Sequence, residues 1–274
     1  MTTVNTNMNA QVAQHALTAN QRQLSEAMAQ LSTGKRLNSA ADDAAGVSMA
    51  SIMATQVRSL NQAVRNSNDG ISMLQTADGA AGGLQNVLYR MKELSVQAGN
   101  DTNSSDERTA LNNEFTQLKQ QLTNMVNTTT WNGMKVLDGT AGSAGTVSIH
   151  VGPAANDNVA VNFANLATTV AAFASHDLLS ASKAGLSNSA VDTAIDQISS
   201  ARATWGAVMN RLTHAADNAI NVSQRTSASY SQVMDADYAQ ATADLAKALI
   251  LDEAGSAMLS QANQQPYYVL ALLS

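Results

Sequence analysis

Cysteine is absent from the 274-residue chain, which removes disulfides, thiolate nucleophiles and thiolate metal ligands together. Proline occurs only twice, at Pro153 and Pro266, so nothing forbids continuous helix over most of the sequence. Aromatic residues make up 4% and charged residues 13% of the chain, and a thick globular core cannot be filled from that supply of large side chains. Basic residues are scattered and the net charge is -6, so no basic face is available to neutralise a phosphate backbone, and nucleic acid is not expected as a partner. No apolar run approaches the roughly 20 residues that span a bilayer, so membrane insertion is not expected either. The first residues, MTTVNTNMNAQVAQ, lack the basic and apolar regions of a cleaved secretory signal. Export, if it occurs, is expected by another route.

What is present is a spacing of three and four residues, held through several long segments, which implies helices packed on helices. Val57, Leu60, Val64, Ile71 and Leu74 follow one seam, with Ser67 in the missing position, and Leu84, Val87, Met91, Leu94 and Ala98 resume it. A helix over 43–98 would be about 80 Å long at 1.5 Å per residue, so an elongated molecule is expected. A second seam runs through Leu111, Phe115, Leu118, Leu122 and Met125, opened by the capping-box pair Ser104 and Glu107, and it is expected to fold back. A third comprises Val191, Ile195, Ile198, Trp205, Met209, Leu212, Ala216 and Ala219, with Arg202 at one seam position and a start expected at Ser189 and Asp192. Each fully buried Leu or Ile contributes about 1.5–3 kcal/mol, enough for three such seams to hold a bundle.

The middle of the chain differs. Val147, Ile149 and Val151, then Val159, Val161 and Phe163, alternate with polar residues around GPAANDN, which reads as a small β-hairpin. The stretch 140–185 is rich in Gly, Ala, Ser and Thr and reads as a cap or loop region without a large extra domain. Both ends carry weaker apolar stripes: Leu17, Leu24, Met28 and Leu31 at the start, Leu245, Leu249, Leu251, Met258 and Leu259 at the finish. These stripes are too thin to bury themselves in a lone monomer, so terminal helices are expected to pair and to draw stability from neighbouring copies. The fold expected is mainly α, an elongated helical bundle or coiled coil formed by N- and C-terminal segments with a small β-hairpin between. Residues 1–33 with 235–274 would form an inner coiled-coil domain, and 34–139 with 186–234 an outer helical bundle. LSTGKRLNSAADDAAG (31–46) would link them, with Asp42 and Asp43 at a helix start where carboxylates favour the dipole.

Several segments also resemble the bacterial flagellins, at both ends and in order: LSTGKRLNSAADDAAG (31–46), NSNDGISMLQTADGA (66–80), LYRMKELSVQAGNDTNS (88–104), WNGMKVLDG (131–139), SIHVG (148–152) and LSQANQQPYYVLALLS (259–274). The resemblance implies a non-catalytic, extracellular subunit that polymerises into the flagellar filament. It implies partners in kind: many copies of the same chain, the flagellar export apparatus, a flagellin chaperone, the filament cap and hook-associated proteins. Tyr267 and Tyr268 would then be ordinary filament contacts together with the terminal apolar residues. Arg90, Glu93, Leu94 and Gln97, with Glu114, resemble the surface that the flagellin-sensing Toll-like receptor of animals recognises. The alternatives are a hook-filament junction protein, which shares the terminal helices, and an exported coiled-coil adhesin.

Chemistry-bearing motifs are few. His15, His150, His176 and His214 are far apart and show no ligand spacing, so no metal or cofactor is expected. Gly79, Gly82 and Gly83 lie within a periodic helix and read as sites of close packing or a kink, not as a phosphate loop. No nucleophile–base constellation is evident, and no enzymatic activity is expected.

Overall fold

The scarcity of proline is realised as length. In a computed structural model, which describes residues 6–271 and side chains through residue 265, helix α2 runs unbroken over Ala44–Ala98 and α5 over Ala181–Met234. Around them lie α1 (Met8–Thr33), α3 (Ser105–Thr128), the strands β1 (Thr130–Trp131), β2 (Met134–Lys135), β3 (Thr146–His150) and β4 (Asn158–Asn162), the short α4 (Leu166–Ala171) with a 3-10 turn (Ala172–Ser175), and α6 (Tyr238–Ala271). Contacts divide the chain into two units: Gln56–Gln224, and the residues up to Thr55 together with those from Arg225 onward.

In the interior unit the three seams close on one another. Along α2 the enclosed stripe runs through Leu60, Ala63, Ser67, Leu74, Ala77, Ala81, Leu84, Leu88, Met91, Leu94 and Ala98, spaced by three, four or seven, with Met73, Gln85 and Ser95 buried beside it. Ser67 keeps its hydroxyl satisfied inside that stripe by donating to the Ala63 carbonyl at 2.9 Å. α3 folds back along α2, as Arg90–Glu114 and the approach of Met125 to Gly83 show. α5 also runs antiparallel to α2. Lys92 pairs with Asp192, Gln85 Nε2 donates to Ser199 Oγ at 2.8 Å, and Ser223 Oγ donates to Asn61 Oδ1 at 3.0 Å. Arg202, the charge at a seam position, donates from Nε to Asp78 Oδ1 at 2.6 Å and from Nη1 to Gln85 Oε1 at 2.7 Å. The carboxylate of Asp78 raises the guanidinium pKa, holding the charge where an apolar side chain would otherwise sit.

The capping box forms as the sequence leads one to expect: Ser104 Oγ accepts from the Glu107 amide, and Glu107 accepts from the Ser104 amide at 2.7 Å. The hairpin does too, with Val147 opposite Val161 and Ile149 opposite Val159. A second, two-residue hairpin joins β1 to β2 through Asn132 and Gly133, whose φ of 48° and 78° suit the tight turn.

Two expectations need correction. α5 starts at Ala181, eight residues before Ser189: Ser180 accepts the Ala184 amide with its carbonyl and the Lys183 amide with its hydroxyl, while Ser189 and Asp192 lie inside the helix. The stretch after the hairpin is also more than loop. α4 and its 3-10 turn put Leu166, Val170 and Phe173 into the core beside Val159, Val161 and Phe163. Trp205 packs on Phe163 with ring centroids 6.1 Å apart and donates Nε1–H to the Asn162 carbonyl at 3.0 Å.

In the terminal unit α1 and α6 pair antiparallel. Asn7 caps α1 by accepting the Ala10 amide and donates Nδ2 to the Ala262 carbonyl at 2.7 Å, and Asn20 Nδ2 donates to the Ala248 carbonyl at 2.8 Å. α1 ends at Gly34, φ 69°, where a Cβ would stand 3.1 Å from the Tyr238 hydroxyl. The linkers beyond then cross as a short antiparallel bridge, with the Arg36 amide donating to the Met234 carbonyl and the Ala236 amide to the Gly34 carbonyl. Asp42 accepts both the Asn38 and Ser39 amides, and Asp43 caps α2 at the Ala45 amide. Backbone donation from Ser39, then from Asn38, lowers the Asp42 pKa.

Candidate assembly surface

The seam between α1 and α6 is made of small residues. Ala13, Asn20 and Ala27 recur every seven residues on α1, and Ala241, Ala248, Gly255 and Ala262 do so on α6. All but Ala13 and Gly255 of these are buried. Small side chains let two backbones approach closely but leave little apolar area to enclose, at about 25 cal/mol per Å². Leu17, whose Cδ1 would stand 3.1 Å from a Cβ at position 255, flanks the seam, as do the half-buried Leu24, Leu31, Leu245 and Leu259. Within the terminal unit two polar atoms are enclosed without a hydrogen-bond partner among the described residues, Asn20 Oδ1 and Asp252 Oδ1. Each such atom weakens the pair by about 1–3 kcal/mol.

The remaining terminal residues singled out in the sequence are not in the seam. Met28, Leu249, Leu251 and Met258 are exposed, and so are Met8, Val12 and Ile250, the last at 67%. Leu249, Ile250 and Leu251 are consecutive, so no single helix face can turn all three inward. Met258, Val12 and Leu251 line a groove of about 790 Å³ together with Leu17, Ala16 and Ala254. Tyr267 and Tyr268 lie on the α6 backbone, and their side chains fall outside the described residues. Sequence reading found the large residues of both faces and missed the small ones of the seam. The heptad recurrence of Ala, Asn and Gly was the signal available.

On the interior unit, Arg90 bridges Glu93 at 2.9 Å and Glu114 at 2.8 Å on an exposed face of α2 and α3. Hydrogen bonding to Glu114, then to Glu93, raises the Arg90 pKa. Gln97 is exposed nearby along α2. Leu94 is not part of that surface: it lies three residues from Met91 and four from Ala98 on the enclosed stripe and is 0% exposed. Gly83 is a close approach to α3, since a Cβ there would stand 2.8 Å from Met125 Cε, whereas Gly79 has open space around it. Among the described residues no group of three or more His, Asp or Glu side chains could hold a metal, and no helix is long and apolar enough to cross a membrane.

Residues 4–142 match the sequence family described as the bacterial flagellin N-terminal helical region, and residues 189–273 match the bacterial flagellin C-terminal helical region. The chain is 38% identical to the flagellin of Halalkalibacterium halodurans over 272 residues, covering 98% of this chain and 99% of that one. It is 36% identical to the flagellin of Listeria monocytogenes over 284 residues, covering 99% of each. The crystal structure of Bacillus cereus flagellin superimposes with a TM-score of 0.52 at 33% identity, over 57% of this chain and 88% of that one. A putative flagellar hook-associated protein of Vibrio parahaemolyticus shares the fold at 13% identity, with a TM-score of 0.59 over 71% of this chain and 100% of that one.

Proposed function

The chain belongs to the bacterial flagellin family, as a structural subunit of the extracellular flagellar filament and not an enzyme, and we propose that the uncovered faces of α1 and α6 drive its polymerisation. The observation that carries the proposal is the inversion of burial in the terminal unit. Its seam encloses Ala27, Ala241, Ala248 and Ala262, while Met28, Leu249, Ile250, Leu251 and Met258 face outward. Each of those large side chains would contribute about 1.5–3 kcal/mol on full burial, more than the enclosed alanines provide. A contact between unlike faces repeats from copy to copy without closing, which generates a helical filament. In that assembly residues 1–33 with 235–274 would be the inner layer, 34–139 with 186–234 the outer helical layer, and 140–185 part of the outer layer. Binding of folded copies would complete the folding of the terminal unit by mass action.

The test is seeded polymerisation followed by negative-stain electron microscopy. Wild-type protein should extend short filament seeds into long uniform filaments. Leu249→Glu with Leu251→Glu should abolish extension without changing the unfolding midpoint of the interior unit. Normal extension by that variant would refute the proposed surface. A protein that never extends seeds at all would fit a hook-filament junction role, one present in few copies. Passage through the flagellar export channel with a chaperone, and capping at the growing tip, belong to the same reading.

A second reading concerns Arg90, Glu93, Gln97 and Glu114, whose charged and amide groups are exposed on neighbouring helices and so accessible to a protein partner such as the animal Toll-like flagellin receptor. Buried Leu94 would support that surface from beneath. Monomer applied to receptor reporter cells should give a response that Arg90→Ala reduces, and an unchanged response would remove the reading.

A further inference from the structure

Methionine is distributed unequally between the two units. In the interior unit Met73 and Met91 are 2% and 0% exposed, and Met125, Met134 and Met209 are packed against the core. In the terminal unit Met8, Met28, Met49 and Met258 are 59%, 57%, 50% and 64% exposed. Every described methionine that is half or more exposed therefore lies in the terminal unit, and two of these, Met28 and Met258, sit on the α1 and α6 faces outside the seam, Met258 on the wall of the groove. Exposure controls how readily a thioether meets a dissolved oxidant, so the two units differ in chemical susceptibility as well as in packing.

From this placement we propose that Met28 and Met258 are oxidation sites that gate assembly, the oxidant being a peroxide; the proposal rests on the reading that these faces are covered in the filament. The sulfur gives up two electrons and takes one oxygen atom from the peroxide, whose O–O bond breaks, and the second oxygen leaves as water. The product, a sulfoxide, replaces a flexible apolar contact by a strong hydrogen-bond acceptor. Free in water that acceptor is solvated. Pressed into an apolar contact with another copy it loses its water, and elongation slows. Covered by neighbouring copies, the same two residues are shielded, so assembled subunits resist the oxidant that stops free ones. The brake acts on the growing end and spares the filament already built.

Full-length wild-type protein, as monomer and as seeded filament, is treated with hydrogen peroxide, and oxygen incorporation at each methionine is followed by peptide mass spectrometry. In the monomer Met28 and Met258 should oxidise while Met73 and Met91 do not, and in the filament Met28 and Met258 should be protected about tenfold or more. Peroxide-treated monomer should then extend untreated seeds about tenfold more slowly or worse, and the Met28→Leu, Met258→Leu double variant should keep its rate. Met28→Gln with Met258→Gln carries the polar oxygen without any oxidant and should slow extension likewise. Treated wild type that extends at the untreated rate, a Leu variant that loses as much as wild type, or a Gln variant that extends normally overturns the proposal. Protection in the filament alongside normal extension by treated monomer would sink the redox gate alone. Oxidation of Met28 and Met258 in filaments at the monomer rate would sink the assembly surface with it.

Discussion

The interior and terminal units are both built from helices and are equally poor in aromatics, yet they use their large side chains in opposite ways. Between residues 56 and 224, Trp205, Phe115, Phe163, Phe173, Leu84, Leu88 and Leu122 are all enclosed, and alanine fills the gaps between them. In the terminal unit alanine lines the contact and Leu249, Ile250, Leu251 and Met258 remain outside. Periodicity alone does not decide which kind of helix a segment becomes. What decides is whether the residues on the inner stripe are large enough to enclose area, and a stripe of Ala, Asn and Gly is not. The first unit has the core of an independent domain. The second is a pair whose large side chains stay uncovered, the faces that the proposed assembly would bury.

The comparison breaks most sharply at Trp205. Trp205→Ala should destabilise the monomer by about 3–5 kcal/mol in equilibrium urea unfolding, whereas Leu24→Ala on the half-buried flank of α1 should change it by less than about 1 kcal/mol. Equal losses would mean that the terminal unit has a core of its own. Next in size, Ala248→Leu should overfill the close seam and cost the α1–α6 pair about 1–3 kcal/mol, read as lost helix-specific amide protection. A tolerated leucine would show that the two backbones are not held closely. Smaller again is Arg202→Met, which should lower the stability of the interior unit by about 1 kcal/mol by leaving Asp78 and Gln85 without their donor. Its effect should be confined to the transition of that unit.

Acid should have the mildest effect. Asp177 is drawn below its ordinary pKa by its hydrogen bond to Lys183, against burial, with further donation from the Leu179 amide. A lowered carboxylate pKa contributes stability that is present above the unfolded value and lost as pH falls through the folded one. Circular dichroism melting points should therefore be flat from neutral pH down to about pH 4 and decline below it. In Asp177→Asn that decline should be shallower.

Much of this architecture was legible in local signals. The start and stop of α2 were read within a residue, because Asp43 caps one end and the periodic stripe ends at Ala98. Ser104 with Glu107, and the alternation of Val147, Ile149, Val159 and Val161, marked α3 and the hairpin for the same reason. Features decided by tertiary contact were not legible. The first turns of α5, Ala181 to Ser189, carry no clear apolar stripe and are tied down by Ser187 Oγ donating to the Asp177 carbonyl. α4 is too short to show a period. At the candidate surface, large apolar residues drew the eye, although the seam belongs to the alanines between them. Leu94 was placed with its charged neighbours by resemblance, while its spacing from Met91 and Ala98 already put it inside.

The central claim is that the terminal unit reaches full stability only among copies of the chain. Hydrogen exchange read by mass spectrometry, on monomer and on filament, tests it most directly. In the monomer, amides of α1 and of α6 through residue 262 should exchange far faster than those of α2 from 60 to 98 and α5 from 191 to 219, and in the filament both sets should be slow. Equal protection of α1 and α6 in monomer and filament would contradict the account.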